Sequence, residues 1–255
     1  MDYQKIKASL NLHAVLRNLS TLVACDEKAR EIIKNWDLSL GFTIFKGPSL
    51  FLVFKDGACR AGEGAMEKPD IRLFFLSASH FNAMMEGRAV PIILKGFSHL
   101  HFLRRRFPKL TDRLAHFLKP QAFHFEDAEF RRINTQLNLS VAMRAVCELA
   151  TQDAMGRCNA SAIPEGTLAI QVLPKGPVVG LSKKGDALEV ADVKPEEASA
   201  ILRFRDVDVA CDLVNGRCDA FAALTRGDIA MRGRIPMIEA VNLMIDRIPH
   251  YLNWP

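Results

Sequence analysis

Few residues in this chain have the types and spacing that could do chemistry. Arg104-Arg105-Arg106 is the densest run of cations, and His99-Leu100-His101 stands just before it. Cysteines occur at 25, 59, 147, 158, 211 and 218, and none forms a C-x-x-C pair. Paired spacing is what a structural zinc site needs, so free, mostly buried thiols are the expectation. The two histidines lie two apart on a predicted helix, where neighbours do not share a face, and His124 is nearby in sequence. No metal is expected. A G-x-S-x-G elbow, a phosphate-binding P-loop and a G-x-G-x-x-G fingerprint are all missing, and Gly62-Glu63-Gly64 reads as a turn. No nucleophile, base or cofactor cradle emerges, so neither an enzyme nor a cofactor is expected. A site formed between two parts of the chain would escape this reading.

The elements that must position these residues come in two copies. Lys46-Gly47-Pro48 recurs as Lys175-Gly176-Pro177, and Gly87-Arg88 as Gly216-Arg217, both at an offset of 129 and read as ungapped. On that offset Phe42 faces Gln171, Leu73-Phe74-Phe75 faces Leu202-Arg203-Phe204, and Phe81 faces Ala210. Gly96 and Gly233 differ by 137, so the first copy lacks eight residues, with 219–226 as the insert. Two domains follow, 1–120 and 121–255, joined near 119–127.

Each copy opens with helix. Over 3–23, Ile6, Leu10, Ala14 and Leu22 share a face, and Asp26 caps a second helix over 27–35. Residues 128–154 form the corresponding single helix, striped by Ile133, Leu137, Val141 and Leu149. Short strands follow at 38–45, 49–54, 58–62 and 71–76, and again at 168–173, 178–183, 187–192 and 200–204. Ser77 and Asp206 start short helices that Gly87 and Gly216 stop. A fifth strand, at 92–95 or 229–232, precedes a closing helix. The fold class is α+β: two repeats, each a five-stranded, largely antiparallel sheet covered by helices.

In the second copy Lys184-Gly185-Asp186-Ala187-Leu188-Glu189-Val190, Ala200–Phe204, and Asp206 leading into Leu213-Val214-Asn215-Gly216-Arg217 resemble the sterol carrier protein type-two family. So does Gly216-Arg217-Cys218-Asp219-Ala220-Phe221, followed by Gly227-Asp228-Ile229-Ala230-Met231-Arg232-Gly233. The likeness spans about 130–252 and, more weakly, about 10–118. It implies helices over a five-stranded sheet with an apolar cavity between them for a lipid or acyl chain. The segment missing from the first copy is the helix that helps wall that cavity. The first copy then has an open groove, a pocket completed by the other domain, or none.

Composition bounds the function further. The chain is 49% hydrophobic and 25% charged, with sixteen Phe against two Tyr and two Trp, so its aromatic surface needs few polar partners. The start, Met1-Asp2-Tyr3-Gln4-Lys5, does not read as a secretory signal, and no apolar run is long enough to span a bilayer. The expectation is a soluble, cytoplasmic chain. Residues 1–120 carry 19 Lys+Arg and 11 Asp+Glu, while 121–255 carry 15 and 18. The basic half suits an anionic surface, suits attraction between the halves, or has no bearing on partners. Within 97–118, Leu100, Leu103, Phe107, Leu110, Leu114 and Phe117 form a stripe, with Arg104, Arg105 and Arg106 outside it. A solvated face on a packed helix accounts for that pattern, and so does docking on anionic membrane. Weak aromatic interleaving argues against nucleic acid.

Two functions remain. The first is a non-catalytic carrier of an apolar ligand, such as a fatty acyl chain, an isoprenoid quinone or a sterol-like molecule. Phe204, Ile229 and Met231 on the sheet, Leu213, Phe221 and Leu224 on the short helices, and Val241, Met244 and Ile245 on the last helix would line the site. Packing as ordinary core is the competing account of the same residues, and Met84, Met85, Met231, Met237 and Met244 read either as core or as an adaptable wall. The second function is a scaffold in which the duplicated sheets pair and no lipid pocket operates. Ligand identity and oligomeric state stay open.

Overall fold

The computed structural model describes residues 3–252. The chain divides into two compact units, one ending at Pro120 and the other beginning at Gln121. In the first, α1 (Tyr3–Ser9), a π-helical turn at Leu10–Val15 and a 3-10 turn at Leu16–Asn18 lead into α2 (Leu19–Cys25) and α3 (Glu27–Ile33). Strands β1 (Leu38–Ile44), β2 (Ser49–Lys55), β3 (Ala58–Glu63) and β4 (Ile71–Phe75) follow, then α4 (Ala78–Met85), β5 (Ile92–Lys95) and α5 (Phe107–Leu118). The second unit runs α6 (Ala128–Gln152), α7 (Ala154–Ser161), β6 (Gly166–Val172), β7 (Val178–Lys184), β8 (Ala187–Val190), β9 (Ala200–Phe204), α8 (Val207–Val214), α9 (Ala220–Thr225), β10 (Ile229–Gly233) and α10 (Ile235–Ile245).

The sheet orders are β3-β2-β1-β4-β5 and β8-β7-β6-β9-β10, so the two repeats share one topology. Each sheet is mixed: β1 and β4 are parallel, as are β6 and β9, and the other pairs are antiparallel. Both units are α+β, with one sheet face packed under helices.

Register corrects the ungapped alignment. Phe42 pairs with Leu73, and Ile170 with Leu202, so Phe42 corresponds to Ile170 rather than Gln171. The turn after β6 holds one residue more than the turn after β1, which restores the offset of 129 from Gly47 onward. The first helices align at 127, since Asp26 and Asp153 do the same job. Asp26 accepts the Ala29 N–H at the start of α3, and Asp153 accepts the Gly156 N–H at the start of α7. The single helix expected over 128–154 is therefore two, broken where the Asp153 carboxylate takes over an orphan amide.

Each of these cap residues is also clasped by an arginine just before or at the end of its repeat. Arg113 bonds both carboxylate oxygens of Asp26, at 2.8 and 2.9 Å. Arg247 does the same for Asp153 at 2.6 and 3.0 Å, and the Tyr251 hydroxyl donates a third bond at 2.7 Å. Burial opposes ionisation of Asp153, but the Arg247 bond, the Tyr251 bond and the Gly156 amide outweigh it and hold the carboxyl at about 2. Burial likewise opposes ionisation of Asp26, and the Arg113 bond and charge outweigh it, so its pKa is lowered.

Phenylalanines fill the core of repeat one. Trp36 meets Phe54 edge-on at 5.0 Å and Phe102 at 4.7 Å, and Phe75 meets Phe81 at 4.9 Å. Gly96 and Gly233 close equivalent turns with φ of +91° and +85°. A Cβ there would lie 2.8 Å from the Asp70 carbonyl oxygen or 2.2 Å from that of Ser199, so only glycine fits.

Candidate apolar site

The inner face of the second sheet is built by period-two alternation along β9 and β10. Phe204 pairs with Ile229 and Leu202 with Met231, which puts all four on one face. Phe204 and Ile229 are buried, Leu202 is half-buried, and Met231 is 38% exposed. Covering therefore stops part-way along the strand pair. Three helices bound this strip: α8 packs on β9, α9 on β10, and α10 on β9, α6 and α7.

Each bounding helix is fixed by a local device. Asp206 accepts the Val209 N–H and starts α8. Asp219 accepts the Ala222 N–H at 2.7 Å and starts α9. Asp228 is buried at the foot of β10 and accepts from Arg205 and from Arg226, the latter at 2.8 Å. Its N–H also bonds the Ala223 carbonyl at 2.9 Å, tying the end of α9 to the strand. Sequence reasoning named Asp228 only as part of the Gly227–Gly233 pattern and overlooked its two arginines: Arg226 is two residues away, but Arg205 lies 23 residues back, on the neighbouring strand's end.

The nine proposed lining residues separate by exposure. Phe204, Ile229, Val241 and Met244 are buried. Leu213, Leu224 and Ile245 are half-buried. Met231 is part-open, and Phe221 is 78% exposed at the start of α9. Of the methionines, Met237 and Met244 are covered, whereas Met84 and Met85 are half-buried on α4 of the other repeat.

Polar contacts between the first helix and the short helix differ between repeats. Asn11 donates to Asn82 at 3.1 Å, and Asn82 donates to Gln4. In repeat two Asn215 donates to Asn134 at 2.7 Å. The counterpart of Asn11 is Asn138, which is buried with an unpartnered Nδ2. The position of Asn82 is there taken by Cys211, which bonds Asn134 instead. All six cysteines are free. Burial pushes the Cys59 thiol up to about 12 and the Cys211 thiol to about 11, far from a reactive thiolate.

Solved structures similar to this chain include a protein described as UbiJ-SCP2 ubiquinone synthesis protein, at 13% identity and a TM-score of 0.32, covering 42% of this chain and 94% of that one. A sterol carrier protein 2 crystal structure is 22% identical with a TM-score of 0.32, covering 41% and 91%. The apo form of sterol carrier protein 2 from Yarrowia lipolytica is 15% identical with a TM-score of 0.31, covering 42% and 88%. At these identities and scores the likeness says nothing of a ligand. No protein-family model matches the chain, and no curated protein does.

The repeats differ where the sequence of the first lacks eight residues. Arg88 leads directly through Val90 and Pro91 into β5, with no helix between. Ile93, opposite Leu73, takes the place of Met231 and is half-buried; Ile92, opposite Phe74 on the other sheet face, and Leu94, at the irregularity in the β4–β5 pairing, are exposed. Arg104, Arg105 and Arg106 lie together on a π-helical turn, Phe102–Arg106, that runs into α5. His99 and His101 sit just ahead of it.

Proposed function

We propose that the second repeat is a non-catalytic binding module for an apolar, lipid-type ligand: a fatty acyl chain, an isoprenoid quinone or a sterol-like molecule. The observation that carries this reading is the part-open strip at Leu202 and Met231, on the same sheet face as fully buried Phe204 and Ile229 and bounded by α8, α9 and α10. An ordinary core would close over that strip. Here the half-buried Leu213, Leu224 and Ile245 offer further apolar surface around it. A ligand laid on the strip would remove that surface from water at about 25 cal/mol per Å². Such binding needs no nucleophile, base or metal.

The reading predicts a chain-length dependence. Each methylene added to a fatty acid that fits the groove contributes up to about 0.8 kcal/mol, roughly fourfold in Kd. Titration of delipidated protein with fluorescent acyl, quinone and sterol probes tests it. Met231→Arg places a charge at a part-exposed position, so it should abolish binding with little change in melting temperature. Wild-type protein that takes up none of the three probes at micromolar concentration contradicts the carrier reading and leaves the scaffold.

A further inference from the structure

We infer that β5 of repeat one and the arginine-bearing turn that follows it form a docking surface for an anionic lipid bilayer. The surface goes beyond ligand binding in repeat two and uses none of its residues.

Two observations coincide there. The first is exposed apolar surface along β5 and the turns that flank it. Val90 is 78% exposed, Leu94 53% and Phe97 64%, and Ile92 and Leu100 are also exposed. These five residues fall within eleven consecutive positions. Large apolar side chains at that density on an exposed edge need a partner.

The second observation is charge. From Arg88 to Thr111 the chain carries Arg88, Lys95, Arg104, Arg105, Arg106 and Lys109 and no Asp or Glu. Arg88 is held by Glu86, and Lys95 donates to the Pro69 carbonyl. Arg106 lies over the Trp36 ring at 5.9 Å. Arg104 and Arg105 are exposed, and among the described residues no carboxylate pairs with them. On the helical run 97–106, Phe97, Leu100 and Arg104 follow at spacings of three and four, which puts them near one face. Apolar side chains flanked by free cations fit the boundary between acyl chains and anionic headgroups.

The corresponding stretch of repeat two behaves differently. It carries Asp219, Asp228 and Glu239, and α9 packs on its strand. The arginine turn is also particular to repeat one: 17 positions separate Gly96 from Arg113, against 14 from Gly233 to Arg247. The three additional residues fall in the stretch that bears the cations. A second copy of the chain is a poorer occupant. β5 is four residues long, preceded by Pro91 and ended by Lys95, features that blunt strand addition at an edge. Nucleic acid would satisfy the arginines but leave Val90, Leu94 and Phe97 without an apolar partner.

The test is co-sedimentation of the full chain with phosphatidylcholine vesicles, with and without phosphatidylglycerol, at low and high salt. Wild-type protein should bind the phosphatidylglycerol vesicles, less at high salt. Arg104→Glu with Arg105→Glu should lower partitioning by about 25-fold or more at low salt. Leu94→Ser with Phe97→Ser should remove the binding that survives high salt. All four residues are exposed, so both variants should keep the wild-type circular dichroism, and both should retain acyl-probe binding if repeat two binds one. The inference is overturned if wild-type protein ignores anionic vesicles at low salt, or if either variant binds as wild type does. It is also overturned if size exclusion shows a dimer that Leu94→Ser with Phe97→Ser dissolves, or if the arginines bind oligonucleotide and not vesicles.

Discussion

Asp153→Asn removes one negative charge and leaves a side chain of nearly the same shape at the junction of α6 and α7. The buried carboxylate takes bonds from Arg247, Tyr251 and the Gly156 amide and is held at about 2, against 3.8 for an unperturbed aspartate. A depressed folded-state pKa stabilises the fold above the unfolded value, and that stability drains away as pH falls toward the folded value. The difference corresponds to about 2 kcal/mol, all of it present at pH 6. Roughly half of it is gone at pH 3, partway between the two values. The amide also turns a donor toward Arg247 and Tyr251, which adds to the loss at neutral pH. Urea unfolding of wild type and Asp153→Asn, followed by circular dichroism, reads both effects. Wild type should be more stable by about 2 kcal/mol or more at pH 6, and the gap should narrow by about 1 kcal/mol at pH 3. Other carboxylates titrate equally in both proteins and cancel in the difference. A gap that is absent at pH 6, or unchanged by pH, would refute the clasp.

The other predictions concern single positions. Gly96→Ala and Gly233→Ala should each destabilise by at least about 1–3 kcal/mol in chemical denaturation, because both force a left-handed backbone and a Cβ onto a carbonyl oxygen; a neutral result at both would contradict the turn geometry. Asn11→Leu should cost about 1–3 kcal/mol by stranding the Asn82 oxygen, whereas Asn138→Leu should be neutral or stabilising, since its Nδ2 has no partner. Equal losses in the two melts would count against this asymmetry. Cys158 is exposed and Cys59 is buried with its thiol at about 12, so a disulfide reagent at pH 8 should label Cys158 in the native protein and Cys59 only after unfolding.

The duplication and most elements were legible because they are written in local signals. Ser77 and Asp206 cap, Gly87 and Gly216 stop, and strand alternation is short-range. The missing helix of repeat one followed from counting residues between Gly87 and Gly96. What escaped depends on pairing across the chain. The one-residue slip in β1 is invisible until Phe42 is seen opposite Leu73. The clasps join Asp26 to Arg113 and Asp153 to Arg247 over 87 and 94 residues, beyond any motif window. The break at Asp153 was missed because the apolar stripe of α6 runs up to it. At the candidate site, the alternation rule placed Ile229 and Met231 on one face with Phe204, but exposure depends on which helix covers which strand. Phe221 was grouped with the lining residues on sequence position, yet its side chain is exposed at the start of α9.

Lipid binding at the strip of Leu202 and Met231 is tested most directly by native mass spectrometry of protein purified without detergent. The predicted spectrum shows, beside the bare chain, one bound lipid per chain that organic extraction identifies as acyl, quinone or sterol-like, and Met231→Arg removes that species while Ile93→Arg in repeat one leaves it. A spectrum of bare chain alone that stays bare after incubation with each lipid class, or a bound lipid indifferent to Met231→Arg, would contradict it.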